Sequence, residues 1–132
     1  MKTFTFRYDP SVKTLKDMGN RMDRAVKTGV PDIQSDDELR SGSIKNLLAV
    51  ATENRINLFM AIVEKQPGSL YELAQILGKD QSYILKEAKT LEALGLISLE
   101  KIEGEGRPKL KPISNYDHIV IDIEASKKAR VS

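Results

Sequence analysis

Residues 69–95 read SLYELAQILGKDQSYILKEAKTLEALG, and this stretch decides the fold. It contains two short amphipathic segments on either side of Gly78. Ser69, with a glutamate three residues later, forms a capping box that begins the first helix, and Asp80 is a favourable N-cap for the second. Gly78 and Gly95 each follow the last apolar residue of a segment, where a left-handed residue commonly ends a helix. The stretch therefore predicts two helices joined by a tight turn, which is a helix-turn-helix.

Apolar residues recur at helical spacing in both segments, and we expect them to form the buried faces. They are Leu70, Leu73, Ala74 and Leu77 in the first helix, and Ile84, Ala88, Leu91 and Leu94 in the second. Ala74 is small where the helices cross, Gly78 accepts a positive φ, and Ile84 packs the second helix onto the first.

The flanking residues complete a larger unit. Residues 43–51 form one predicted helix, and Thr52 caps another that Pro67 and Gly68 end. Downstream, the runs LISLEKI and KLKPI on either side of the tip EGEGRP predict a β-hairpin, in which Pro112 indicates an edge strand. A hairpin in this position is the wing of a winged helix-turn-helix. The expected fold class is thus α+β and mainly helical, with an extra N-terminal strand-helix unit and a C-terminal strand.

The chain ends lie outside this unit. Residues 2–9 alternate as a strand with Phe4, Phe6 and Tyr8 on one face, and Asp9 and Pro10 then begin a predicted helix that runs to Gly29. Gly29 to Gly42 reads as a linker without regular structure. Residues 116–124, YDHIVIDIE, predict a second strand, and residues 125–132 a disordered tail.

These patterns divide the chain into an N-terminal unit, 1–42, and a winged helix-turn-helix domain with its C-terminal strand, 43–124. We expect that the winged helix does not need the terminal apolar stripes for its own core. We therefore expect residues 1–42 to serve dimerisation or a partner, with help from the C-terminal strand. A fragment of residues 43–113 is expected to fold alone as a monomer.

The composition excludes several classes of function. A chain of 132 residues, 40% hydrophobic and 30% charged, fits one globular domain. It has no cysteine and one histidine, His118, so thiolate zinc sites, cysteine nucleophiles and paired imidazoles are excluded. With no phosphate-binding loop either, we expect no metal, no cofactor and no enzymatic activity. The lack of cysteine favours the reduced cytoplasmic compartment. No membrane partner is expected, because the apolar runs are far shorter than the roughly 20 residues that span a bilayer.

Two groups of polar residues are candidates for contact with DNA. The second helix would present Gln81, Ser82, Tyr83, Lys86 and Lys89 opposite its buried face, and the hairpin would present Arg107, Lys109 and Lys111. Glutamine reads adenine, lysine reaches phosphates or guanine, and an arginine on a wing suits the minor groove. The alternative is an ordinary solvated face on a protein-interaction module, which is favoured by the equal numbers of basic and acidic residues in 69–113.

Residues 52–113 resemble the winged-helix transcriptional regulators of the ArsR and MarR type. RINLFMAI, GSLYELAQILGKD, KEAKTLEALGLI and YDHIVIDIE together resemble more closely a family of small prokaryotic DNA-binding regulators described as antitoxin-like. The helix-turn-helix itself predicts a sequence-specific regulator that binds double-stranded DNA, and the small DNA surface of one such unit predicts a homodimeric repressor. The resemblance covers residues 12–124 and alone implies an antitoxin-like autorepressor with a toxin-like protein as a further partner. The lack of cysteine departs from the ArsR metal sensors.

Overall fold

The structure is a computed structural model that describes residues 2–12, 37–104, 106 and 108–125. In these ranges the chain is α+β, with four helices and two sheets. The elements are, in chain order, β1 (Thr3–Tyr8), β2 (Glu38–Ser41), α1 (Ile44–Val50), α2 (Glu53–Lys65), α3 (Leu70–Leu77), α4 (Gln81–Leu94), β3 (Ile97–Ile102), β4 (Lys109–Ser114) and β5 (His118–Asp122).

Side-chain caps begin the helices where the sequence predicts them. Thr52 accepts a hydrogen bond from the Arg55 N–H and begins α2, and Asp80 accepts one from the Ser82 N–H and begins α4. Ser69 accepts from the Glu72 N–H, while the Glu72 carboxylate accepts from the Gly68 N–H, one residue earlier than in a standard capping box. These bonds satisfy N–H groups that have no partner inside the helix.

Residues in the left-handed region end the three longer helices. Gly78 (φ 64°) and Gly95 (φ 90°) end α3 and α4 as predicted. α2 ends before Pro67 as predicted, because Lys65 is its last residue and Gln66 takes a left-handed φ of 46°.

The terminal strands meet in one parallel sheet of order β2-β1-β5. Phe4 lies opposite Ile119, and Phe6 lies between Leu39 and Ile121. The prediction that Gly29 to Gly42 lacks regular structure is wrong at its end, since Glu38–Ser41 forms β2. A four-residue strand of mixed charge has no period-two signal, and its pairing with β1 is long-range.

A single hydrophobic core joins this sheet to the helices. Phe4 and Phe6 are buried in the same cluster as Leu47, Leu73 and Ile84. The expectation that the N-terminal stripe is left over is therefore wrong, and residues 43–113 alone would lose part of their core. The core contains residues from both sides of the predicted domain boundary between residues 42 and 43. A difference in function between the two sides stays a prediction.

The other face of the parallel sheet carries a network of ion pairs. Arg7 on the central strand donates to Glu38 (2.7 Å) and to Asp122, so it links both neighbouring strands. Arg40 also donates to Glu38 (2.7 Å) and contacts Asp9 (3.2 Å). The hydrogen bonds from Arg7 and Arg40 hold the pKa of the Glu38 carboxyl below its usual range.

The second sheet is the predicted antiparallel hairpin β3–β4. Leu99 and Pro112 lie opposite each other and face the helices, whereas Glu100 and Lys111 face outward. The Glu92 carboxylate accepts from the Leu99 N–H, and the Asn115 side chain donates to the Gly95 carbonyl. These bonds fix the hairpin to the end of α4.

Some predicted features lie outside the described residues. They are the helix from Pro10 to Gly29 beyond Val12, and the tail beyond residue 125. In the described part of the chain, no helix is both long and apolar enough to cross a membrane.

Candidate functional site

The exposed face of α4 carries most of the predicted contact residues. Successive residues of an α-helix are 100° apart, so Gln81, Ser82, Lys86 and Lys89 fall within one arc of the helix, and all four are exposed. The opposite arc holds Ile84, Ala88, Leu91 and Leu94, all buried as the sequence predicts. The helix therefore presents polar and basic side chains on its outer face.

Tyr83 is less exposed than the other candidates on α4. It is half-buried and packs against the core, on the side of α4 that also carries Glu87. Its ring lies beside the exposed arc and packs partly against the core, so contact between Tyr83 and DNA stays a prediction.

The hairpin contributes two of its three candidates to the described structure. Lys109 and Lys111 are exposed on the outward face of β4. Lys111 lies directly opposite Glu100 on β3, a position where unlike charges attract each other. Arg107 lies outside the described residues.

A surface groove runs between α3, the start of α4 and the hairpin. It brings together Gln81 and Ser82, which were predicted on the second helix, and Lys109, which was predicted on the hairpin. Its remaining lining residues are Ser69, Leu70, Tyr71, Leu85, Pro108 and Leu110.

Sequence reasoning missed two residues of this groove, Tyr71 and Leu85. Their side chains are 54% and 36% exposed, although both are large and apolar. Each directly follows a residue of the buried stripe, Leu70 or Ile84, and so points about 100° away from it. An apolar residue displaced from the stripe is the signal that would have revealed them.

The acidic side chains of residues 69–95 are all held in structural hydrogen bonds. Glu72 and Asp80 accept from backbone N–H groups at helix starts, and Glu92 accepts from the backbone of β3. Glu87 pairs with Arg55 of α2 at 3.2 Å, where both side chains are largely buried. In contrast, Lys79, Lys86 and Lys89 are exposed and form no ion pair with a described residue.

Arg55 holds the back of α4 in place. Its guanidinium donates to Glu87 and also to the carbonyls of Ala49 and Val50, which are C-terminal carbonyls of α1 without a helical partner. Three helices thus meet at one side chain, which fixes the rotation of α4 and hence the direction of its exposed face.

In the described ranges no three Asp, Glu or His side chains come together as ligands for a metal ion. The expected lack of a metal stays a prediction.

A protein-family model with the description HVO_A0114 matches residues 50–121. The match begins at the end of α1 and includes α2 to α4, the hairpin and most of β5. No curated protein and no solved structure matches the chain. Because the matched residues are more than half of the chain, the protein belongs to the HVO_A0114 family.

Proposed function

We propose that this protein is a sequence-specific, DNA-binding transcriptional regulator of the winged-helix type. The order of α3, the Gly78 turn, α4 and an antiparallel hairpin supports this proposal. In such proteins the second helix enters the major groove and the wing contacts the flanking backbone or minor groove. α4 would be the recognition helix. The base of the hairpin is bonded to the C-terminal end of α4, and its tip lies beside the N-terminal end.

The sorting of charges on α4 carries the proposal. Residues 69–113 contain equal numbers of basic and acidic residues, so only a spatial separation of these charges allows this part of the chain to bind DNA. Arg55 neutralises Glu87 on the buried side, while Lys86 and Lys89 remain exposed on the outer side. A positive face is the basic requirement for contact with phosphates.

The side chains of the site suit different parts of a duplex. Gln81 forms the bidentate contact that reads adenine, and Ser82 suits a phosphate oxygen. Lys86 and Lys89 neutralise phosphates or reach guanine, and Lys109 would follow the backbone from the hairpin. A single winged helix contacts too little DNA surface for the affinity of a typical repressor for its operator. We therefore expect a homodimer that binds two half-sites.

In vitro selection from a pool of randomised duplexes tests the proposal. The wild type is expected to enrich one sequence pattern, whereas the double variant Lys86→Ala/Lys89→Ala enriches none at the same protein concentration. Both proteins should melt alike, because the two lysines contact no part of the core. If the wild type enriches no sequence and shifts no duplex in a gel, the DNA proposal is wrong.

The apolar lining of the groove favours a second candidate function, a protein-interaction module. Tyr71 and Leu85 are large and exposed, and tyrosine is among the residues enriched at protein interfaces. The resemblance to antitoxin-like regulators alone implies a toxin-like partner for this surface. Tyr71→Ala separates the two functions, because it removes a large apolar contact from the groove and leaves the exposed face of α4 unchanged. It should weaken binding of a protein to the groove and leave binding of DNA unchanged.

A further inference from the structure

The strand β5 is an edge that the described part of the chain leaves open. Its one strand neighbour is β1. Ile121 is 40% exposed, and Ile123, just beyond the strand, is 46% exposed. An open strand edge with exposed apolar residues is a template for pairing with another chain.

The opposite edge of the same sheet differs. β2 is four residues long, and its Glu38 and Arg40 are held in ion pairs. Short, charged strands are the usual means by which proteins protect an edge. β5 is five residues long with one ion-paired residue, Asp122, and it has no lysine, arginine or proline to discourage pairing.

We propose that β5 pairs with the β5 of a second copy of this chain, antiparallel, with the two-fold axis at Ile121. The two three-stranded sheets then form one continuous sheet of six strands. A two-fold axis requires a surface that complements itself, and an antiparallel strand pair meets this requirement.

Side chains decide this register. With the axis at Ile121, this residue lies opposite its own copy and Ile123 lies opposite Ile119, so both exposed isoleucines gain apolar neighbours. On the other face, Glu124 lies opposite His118, and Asp122 lies opposite Val120. Such cross-strand contacts are the main source of stability in a strand pair.

The two nearest alternative registers are less favourable. An axis at Asp122 would place two carboxylates directly opposite each other, and like charges there are destabilising. An axis at Val120 would leave Ile123 opposite Asp117. The Asp122 register would also pair Ile121 with Ile123, so only the Ile121 register both covers the two isoleucines with apolar side chains and keeps the carboxylates apart.

Sedimentation of the full chain without DNA provides the first test. The wild type is expected to be a dimer at about 10 to 100 μM, because an interface made mainly by one pair of strands buries little surface and forms a weak complex. Ile121→Lys places two charges at the axis and should give a folded monomer, whose melting temperature is close to that of the wild type at dilutions where both are monomeric. The matched control is Ile113→Lys on the hairpin, where the original side chain is 36% exposed, and it should leave the dimer intact.

Disulfide trapping tests the register. The protein has no cysteine, so each introduced cysteine is the only one in the chain. Directly opposite residues of an antiparallel pair have Cα atoms about 4.5–5.5 Å apart, a separation that allows a disulfide. Ile121→Cys should therefore cross-link rapidly under mild oxidation. Ile123→Cys should not, because its two copies would be about 13 Å apart.

A monomeric wild type overturns the proposal, and so does a dimer that Ile121→Lys leaves intact. Equal cross-linking at positions 121 and 123 overturns the register. None of these measurements uses DNA, so the outcome is separate from that of the proposed function.

Discussion

Gly78 allows the turn between α3 and α4 for a conformational reason alone. Its φ is 64°, and a Cβ added there would have no atom within 4 Å. Its N–H and that of Lys79 bond the last carbonyls of α3. An alanine at this position would fit sterically but would have to adopt the left-handed conformation that side chains disfavour.

Gly78→Ala should therefore lower the free energy of unfolding by about 1 kcal/mol. Urea denaturation measures this change. The control is Gly104→Ala, since that glycine has equal space around it and no positive φ, and its effect should be close to zero. Equal effects at the two positions would show that φ is not the cause.

At the scale of single residues, local signals were enough to predict the helix ends. Ser69, Asp80, Gly78 and Gly95 act within one turn of their own positions, so their roles depend little on the rest of the fold. Tyr83 depends on the packing of α4 against other elements, and its half-buried position could not be predicted from the sequence.

At the scale of elements, the ion pairs of Glu38 hold β2 against β1. Hydrogen bonds from Arg7 first, and then from Arg40, lower the pKa of Glu38. A carboxyl whose pKa is lower in the folded than in the unfolded state stabilises the fold above its unfolded pKa. That contribution disappears as the pH falls through the folded-state pKa.

We expect the protein to lose stability as the pH falls below about 4.5, the ordinary pKa of a glutamate. Asp9, whose pKa is lowered mainly by hydrogen bonds from Ser11, adds to this loss at lower pH. Glu38→Gln should be less stable at neutral pH and should show a shallower decline on acidification. Thermal melts across this range measure both effects.

The control for this prediction is Glu64→Gln on α2, because Glu64 is exposed and forms no ion pair with a described residue. It should reproduce the wild-type profile. A Glu38→Gln profile parallel to that of the wild type would contradict a stabilising role for the Glu38 ion pairs.

The element that sequence reasoning missed, β2, shows where pattern analysis fails. Its residues ELRS have one large apolar side chain, Leu39, and strands this short lack a recognisable period. β1 supplies both the hydrogen bonds and the arginine that hold β2. Long-range pairing, and not local propensity, forms this strand.

At the scale of the whole molecule, the N-terminal strand belongs to the core of the helical unit. Phe4 is fully buried and contacts the rings of Phe6 and Tyr116 edge to face, with centroids 5.1 and 5.4 Å away. Phe4→Ala should therefore cost about 3–5 kcal/mol of unfolding free energy. Ile76→Ala, at an exposed position on α3 outside the proposed dimer interface, should cost less than about 1 kcal/mol.

Denaturation of the two variants measures these costs. A Phe4→Ala protein as stable as the wild type would restore the original expectation, in which residues 43–113 fold without the N-terminus. The sequence pattern revealed the apolar stripe of β1 but could not reveal its partner, because an alternating strand specifies which face is buried and not what covers it.

The salt dependence of DNA affinity tests most directly whether α4 contacts DNA. It is measured by fluorescence anisotropy on one labelled duplex taken from the selection. Each lysine that neutralises a phosphate contributes about 0.9 to the slope of log affinity against log salt. Lys86→Ala and Lys89→Ala should each weaken binding and reduce the slope by about 1. Lys45→Ala, an equal change of charge at an exposed position on α1, should leave both unchanged. Equal losses of affinity in all three variants, or no loss in any of them, would contradict the proposal that α4 contacts DNA.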